Sequence, residues 1–246
     1  VYKRQNISSI NASIAQANAN VTSIKGVITE KTQELDKLTQ NYHRSKSRLE
    51  SLVNITERYD GYGNSIRKIM ELKDSNPGIL GVIADIIKVE KQYETAIETA
   101  LGGTIQNIVT DKENTAKELI NYLKVNKLGR ATFLPLNAIH SRNTLENDNC
   151  INEKGVVGVA SNLVRVSFEY EGLAKYLLGR ILVVDNIENA LVIARKYKYS
   201  LRIVTLEGEQ LNPGGSMTGG AFKNSSNLLG RRREICLLYT SPSPRD

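Results

Sequence analysis

Between Ile7 and Tyr59 an apolar residue recurs at alternating steps of three and four, a stripe longer than a domain of this size can bury in its own core. The a positions are Ile7, Ile14, Val21, Ile28, Leu35, Tyr42, Leu49 and Thr56, and the d positions are Ile10, Ala17, Ile24, Lys31, Leu38, Ser45, Leu52 and Tyr59. Lys31, Ser45 and Thr56 depart from the pattern. An α-helix turns every 3.6 residues, so a 3.5-residue repeat makes a seam that another helix must cover in a left-handed coil. At 1.5 Å of rise per residue, about 50 residues predict a rod of roughly 75 Å. Gly26 falls at f, where it weakens the helix without interrupting the seam. The alternative is a solvated amphipathic helix. A two-stranded coil needs a second strand, and only Arg231–Ile235 reads as the start of a helix that returns.

Asp60-Gly-Tyr-Gly-Asn ends the rod. A short helix is expected over Ser65–Leu72, a turn at Asn76-Pro-Gly, an apolar strand over Gly81–Ile87 and a helix from Glu90 to Leu101. An internal near-repeat follows. Leu101-Gly-Gly-Thr-Ile-Gln-Asn-Ile-Val-Thr-Asp111 precedes a helical pattern over 113–124 and the strand-like Arg130-Ala-Thr-Phe-Leu. Leu178-Gly-Arg-Ile-Leu-Val-Val-Asp185 precedes a helical pattern over 187–198 and Leu201-Arg-Ile-Val-Thr-Leu. Both copies read helix, glycine, buried strand, Asp, helix, strand, with Asp111 and Asp185 expected as N-caps. This predicts an α/β fold of two related subdomains, about 77–137 and 155–230, joined by a polar linker over 138–154 and preceded by one long coiled-coil helix over 1–58. The β-rich run Val156–Tyr170 is expected to give the second subdomain an extra hairpin.

Near the end of that region, Leu211-Asn-Pro-Gly-Gly-Ser-Met-Thr-Gly-Gly-Ala places four glycines in seven residues. Glycine costs folding entropy, so the cluster needs a reason. Three fit: a plain turn, a phosphate-binding loop, or backbone that another protein surface approaches closely. The spacing GGxxxGG, followed by Ala-Phe-Lys-Asn-Ser-Ser-Asn, lacks the helix start that a phosphate loop uses.

The run Thr205-Leu-Glu-Gly-Glu-Gln-Leu-Asn-Pro-Gly-Gly-Ser-Met-Thr-Gly-Gly, with Arg231-Arg-Arg-Glu-Ile after it, resembles the end of the hinge domain of bacterial-type SMC (structural maintenance of chromosomes) chromosome-segregation proteins. Pro77-Gly-Ile-Leu-Gly-Val-Ile-Ala-Asp, Glu98-Thr-Ala-Leu-Gly-Gly-Thr-Ile-Gln-Asn-Ile-Val and Gly129-Arg-Ala-Thr-Phe-Leu-Pro-Leu resemble the same family in the same order, so that the likeness covers about 59–235. It implies a homodimerisation hinge at the apex of an antiparallel coiled coil, with Gly214, Gly215, Gly219 and Gly220 at the dimer interface. It also implies a descending strand of the same chain as the rod's partner, ATPase heads outside this sequence, and a cytoplasmic, nucleoid-associated protein. Cys236–Asp246 and the first five residues look foreign to the family, as translated adapter sequence would.

The net charge of +7 favours acidic partners such as nucleic acid. Arg231, Arg232 and Arg233 stand where the return coil begins, and Arg67 and Lys68 follow the ascending coil; Lys223 is a further candidate. If the coil ends are adjacent, these charges converge on a surface suited to DNA phosphate and without sequence readout. Ordinary solvated charge is the alternative. In SMC proteins the hinge–coil junction is associated with DNA binding, which the resemblance carries to these positions.

No P-loop motif is present, His43 and His140 lack neighbouring triad or zinc partners, and Cys150 and Cys236 form no CxxC. No apolar run reaches membrane-span length. The expectation is a non-catalytic piece with no cofactor or metal; the rival is a small α/β nucleotide-binding domain or enzyme using the Gly214–Gly220 loop for phosphate.

Overall fold

The computed structural model describes residues 2–59, 61–140, 144–220 and 228–240. They fall into two compact units, residues 1–51 with 238–246 and residues 52–237. The first is dominated by helix α1 (Tyr2–Glu57), which carries the heptad stretch from Ile7 to Thr56; the last d position, Tyr59, lies in the turn beyond it, at φ +51°. Its seam residues Ile7, Ile10, Ile14, Val21, Ile24, Ile28, Leu35, Leu38 and Tyr42 are each 45–63% exposed, so the stripe is formed and left facing solvent.

The second unit holds, in chain order, α2 (Asn64–Met70), β1 (Ile79–Val82), α3 (Ile83–Ile86), β2 (Lys88–Val89), α4 (Glu94–Leu101), β3 (Ile108–Thr110), α5 (Glu113–Val125) and β4 (Phe133–Pro135). Then come β5 (Val156–Val159), β6 (Val164–Arg165), α6 (Glu171–Leu178), β7 (Ile181–Val184), α7 (Ile187–Lys196), β8 (Arg202–Thr205), β9 (Gln210–Leu211), β10 (Met217–Thr218) and α8 (Leu228–Thr240). α8 runs five residues past Ile235.

The duplication reaches further than the sequence reading had it. β1, α3, β2, a 3-10 turn, α4, β3, α5, β4 is matched by β5, a 3-10 turn, β6, a 3-10 turn, α6, β7, α7, β8, apart from a 3-10 helix over Gly102–Gln106 between α4 and β3 that the second copy lacks. In each copy the first strand pairs antiparallel with the third, which pairs parallel with the fourth. Each first strand has a register shift, between Ile79 and Gly81 and between Val156 and Gly158. The equivalent strands β2 and β6 pair antiparallel, Lys88 opposite Arg165 and Val89 opposite Val164, as an approximate two-fold would place them. Val156–Tyr170 is therefore not an added hairpin. It is the second copy of 79–93, and its alternating apolar residues serve two different sheets.

Two further expectations are corrected. The run 81–87 is not one strand: after Val82 the backbone turns into α3, because Ile83 and Ala84 must both be buried and Ile87 closes the turn onto Ile83. Asp111 and Asp185 stand one residue before the N-caps, which are Lys112 and Asn186. Asp185 Oδ1 accepts from the Asn186 N–H and the Asn189 side chain, and Asp111 Oδ1 from the Lys112 N–H and the Thr115 hydroxyl. Each Asp thus fastens the strand end to the first helical turn, while Asn186 makes the cap bond to the Asn189 N–H.

β7 is buried on both faces, which is why it reads Ile-Leu-Val-Val without alternation. Ile181 and Val183 join a core shared with Ile97, Ile108, Val109, Val204, Leu228 and Leu229, whereas Leu182 and Val184 pack with Ile193, Ile203 and Leu211 under α7. The larger core spans both copies; with roughly 1.5–3 kcal/mol gained per buried aliphatic side chain, it makes the pair one folding body.

Candidate dimer edge and coil junction

The larger sheet runs β10-β9-β8-β7-β5 and the smaller β1-β3-β4. β10 and β4 are edges, and the duplication makes their inequality plain. β4 occupies in its sheet the place β8 holds in the other, but β8 carries the β9–β10 hairpin beside it and β4 carries no strand among the described residues.

The glycine cluster builds that hairpin. Asn212 N–H donates to Ser216 O, Gly215 N–H to Asn212 O and Gly214 N–H to Tyr199 O. Gly214, Gly215 and Gly220 have φ of +88°, +94° and +125°, which explains glycine at those three positions locally. Space is the other half. A side chain at Gly214 or Gly220 would meet nothing within 4 Å, at Gly215 it would touch the Tyr199 ring, and at Gly219 it would lie 3.1 Å from Glu209 Cγ. Leu211 pairs with both Ile203 and Met217, and Thr205 N–H donates to Glu209 O. Antiparallel backbone groups alternate between neighbours, so Leu211 bonds to β8, Asn212 bonds to β10, and the N–H and C=O of Met217 point off the sheet edge. The four predicted glycines are thus gathered around one edge that is open among the described residues. The Gly214 and Gly215 amides, which a phosphate would need, already donate to carbonyls of the chain.

At the coil junction the predicted cations separate by neighbourhood. Arg67 Nη2 donates to Asn64 Oδ1 at 3.3 Å and Lys68 Nζ to Glu71 at 2.7 Å, beside an open cleft also lined by Glu57, Arg58, Tyr59 and Asp74. Arg232 is ion-paired with Asp85 and Arg233 with Glu94. Arg231 Nη1 comes within 3.6 Å of the place a Cβ would take on Gly61. Lys223 lies outside the described residues.

The residues that receive the return helix escaped the sequence reading. Leu228 and Leu229 are buried in the shared core, and the Leu229 N–H donates to Glu98 Oε1 at 3.1 Å, a carboxylate closing the first turn of α8. Asp85 accepts both from Arg232 and, at 2.8 Å, from the Tyr59 hydroxyl at the end of the ascending helix, so that one carboxylate touches both coil ends. Tyr59 stacks edge-on with Tyr62 at 5.3 Å. Burial, with the Asp85 charge beside it, pushes both phenols above the tyrosine range, which keeps Tyr59 a donor. The sequence carries part of the signal: Glu94 and Glu98 lie four apart on the Glu-Thr-Ala-Ile-Glu-Thr-Ala-Leu helix, whose apolar face must be buried, but nothing local names the partners that two buried carboxylates demand.

Burial raises the Glu98 pKa above its ordinary 4.5, against the pull of the Leu229 and Leu228 amides. A carboxylate with a raised pKa holds its proton longer in the fold than in the unfolded chain, so the fold loses stability as pH climbs from 4.5 through the raised value. Glu98→Gln keeps the oxygen acceptor and removes the charge. It is expected to flatten the melting-temperature profile above pH 4.5, measured by circular dichroism. An unaltered profile would place the titration elsewhere.

Among the described residues no group of acidic, histidine or cysteine side chains is placed to hold a metal, and no helix is long and apolar enough to cross a membrane. Residues 76–194 match the family model of the SMC proteins' flexible hinge domain. The chain is 38% identical over 238 residues to the chromosome partition protein Smc of Clostridium kluyveri, covering 94% of this chain and 20% of that protein. It is 40% identical over 199 residues to the Smc of Bacillus subtilis, covering 80% and 17%. It therefore spans about a fifth of the length of the curated relatives it matches. The crystal structure of an asymmetric dimer of the Geobacillus stearothermophilus SMC hinge domain superposes with a TM-score of 0.76 at 39% identity, over 83% of each chain. The Pyrococcus furiosus SMC hinge domain superposes at 0.54 and 35%, over 72% of this chain and 89% of that one. With its duplicated α/β body, its glycine-built edge and its coil-bearing ends, the chain belongs to the SMC hinge-domain family.

Proposed function

We propose that this chain is the homodimerisation hinge of an SMC chromosome-partition ATPase, a non-catalytic module that joins two copies and holds DNA weakly, without sequence preference, where the coils leave it. The observation that carries the dimer is the pair of unequal edges: β10 presents outward backbone between Gly214 and Gly220, each with nothing within 4 Å of an added Cβ, and β4 lacks, among the described residues, the strand its counterpart β8 has. Strand addition between β10 of one copy and β4 of the other satisfies both, twice per dimer. Residues 59–232 should sediment as a dimer; a monomer at micromolar concentration would sink the reading. A nucleotide-binding role for the Gly214–Gly220 loop has less support, since the loop is a hairpin turn with its Gly214 and Gly215 amides engaged.

The exposed seam of α1 supports a descending helix as its occupant, continuing from α8 of the same chain. A longer piece of the protein that extends α8 by about seven heptads should gain helicity beyond the added residues and melt higher, because a covered seam buries its a and d side chains. If the added residues contribute helix alone and the melt stays put, the pairing lies elsewhere.

For DNA the support is charge: +7 overall, with Arg67, Lys68 and Arg231–Arg233 at the coil ends. About three engaged cations give a log–log salt slope near −3 on duplex. Arg231/Arg232/Arg233→Glu should lower affinity several-fold at low salt while leaving the dimer intact, read by fluorescence anisotropy. Equal binding by both proteins would remove the junction from DNA binding.

A further inference from the structure

We infer that Asp85 and Glu94 compete with DNA phosphate for Arg232 and Arg233, so that the seated return helix and DNA at the junction exclude one another at these two arginines. This rests on the junction being the DNA-binding site.

The pairs are not incidental surface contacts. The side chains of Asp85 and Glu94 are 9% and 11% exposed, whereas those of Arg232 and Arg233 are 41% and 29% exposed. The acids are fixed in the body and the bases lie at its surface. Asp85 is further held by the Tyr59 hydroxyl, and Glu94 shares α4 with Glu98, which takes the Leu229 N–H. Three carboxylates of the first repeat thus grip one helix start within its first turn and a half, at Leu229, Arg232 and Arg233. A guanidinium carries five N–H donors on two forked edges, either suited to carboxylate or to phosphate oxygens; here Arg232 Nη2 and Arg233 Nε face the acids, whose charge also cancels the attraction for a phosphate. The fork that faces Asp85 or Glu94 is not available to a phosphate, and an arginine drawn to phosphate leaves a largely desolvated carboxylate without its counter-charge. DNA that engages all three arginines must therefore loosen the seat of α8. By linkage, whatever loosens that seat raises DNA affinity by the same factor.

The obvious experiment inverts the usual direction: removing acids, not bases, should matter. Asp85→Asn/Glu94→Gln preserves shape and an acceptor for the Tyr59 hydroxyl while deleting both negative charges. With a fluorescein-labelled 30-base-pair duplex, its affinity at low salt should rise on the order of tenfold, and its salt slope should steepen by about two units. Glu188→Gln/Glu207→Gln deletes two exposed charges elsewhere and controls for net charge; it should gain far less. The single substitutions Asp85→Asn and Glu94→Gln, each expected to add about one unit of slope, serve if the double variant melts early. Adding Arg232→Glu/Arg233→Glu to the double variant should abolish the gain; a gain that survives overturns the proposal. If Asp85→Asn/Glu94→Gln binds no tighter than the control while Arg231/Arg232/Arg233→Glu weakens the wild type, the masking is wrong and the DNA reading stands. If the triple arginine variant binds as the wild type does, the DNA reading fails and takes the masking with it.

Discussion

Met217→Pro is expected to turn the dimer into a folded monomer. Met217 sits on the outermost strand with its backbone groups directed off the sheet, and its side chain is 54% exposed. Proline there removes a donor that the chain itself does not use, because the internal hairpin bonds run through Asn212, Gly215 and Ser216. The chain should melt within a degree or two of the wild type. The partner's edge, by contrast, loses a hydrogen bond and meets a ring where it needs an approach. An unmade buried hydrogen bond costs about 1–3 kcal/mol, and two-fold symmetry doubles the loss, so the dimer dissociation constant should rise by about a hundredfold or more. Sedimentation at a few micromolar reads this directly. Substituting the neighbouring glycines is a poorer probe, since a side chain at Gly215 is strained by its φ of +94° before any partner arrives. A Met217→Pro protein that remains dimeric would move the interface away from β10 altogether.

A large loss of stability is expected at Gly155. An added Cβ would lie 2.5 Å from Asn189 Nδ2 and 2.6 Å from Asp185 Oδ1, where Asp185 accepts from Asn189 at 2.9 Å, and the backbone holds φ +85°. Gly155→Ala must break that bond or displace β5, in addition to the left-handed penalty. About 3–4 kcal/mol is expected, a fall of roughly 10 °C in a body of this size. Gly78 is its counterpart in the first copy, facing Asp111 Oδ1 at 2.8 Å and Thr115 at 2.9 Å, without a positive φ. Gly78→Ala should cost less, about 2 kcal/mol. Gly26→Ala, with nothing within 4 Å, should leave the hinge melt alone and favour the rod by about 1 kcal/mol. Equal melts for Gly155→Ala and wild type would show that the Gly–Asp–Asn lock carries no load.

What could be read from residues alone followed from how local the signal was. The rod is a 3.5-residue repeat, and α1 bears it from Ile7 to Thr56. The two helix–strand–Asp–helix–strand copies were visible because each fits in about thirty residues, and β3-α5-β4 and β7-α7-β8 match them. The hinge family followed from several short motifs in a fixed order. Ile83–Ile86 misled because a buried helical turn and a buried strand share the same apolar composition. Val156–Tyr170 misled because β5 and β6 pair with partners in different sheets, which alternation within one segment does not reveal. The acids at the junction were the hardest to find. Asp85 meets Arg232, and Glu94 meets Arg233, across 147 and 139 positions of chain, and no local pattern encodes contacts of that span.

The naked seam of α1 also sets a problem in time. A chain grows at about 5–20 residues per second, and domains fold as they emerge. α1 ends at Glu57 and α8 does not begin until Leu228, so about 170 residues are synthesised between them. At that pace the nascent rod waits roughly 10–35 seconds with the nine seam side chains from Ile7 to Tyr42 bared before α8, or any helix continuing from it, is made. Neighbouring ribosomes on one message would carry identical rods within reach of each other. The longer the hinge takes to be translated, the longer the exposed seam of α1 is open to a helix of another chain.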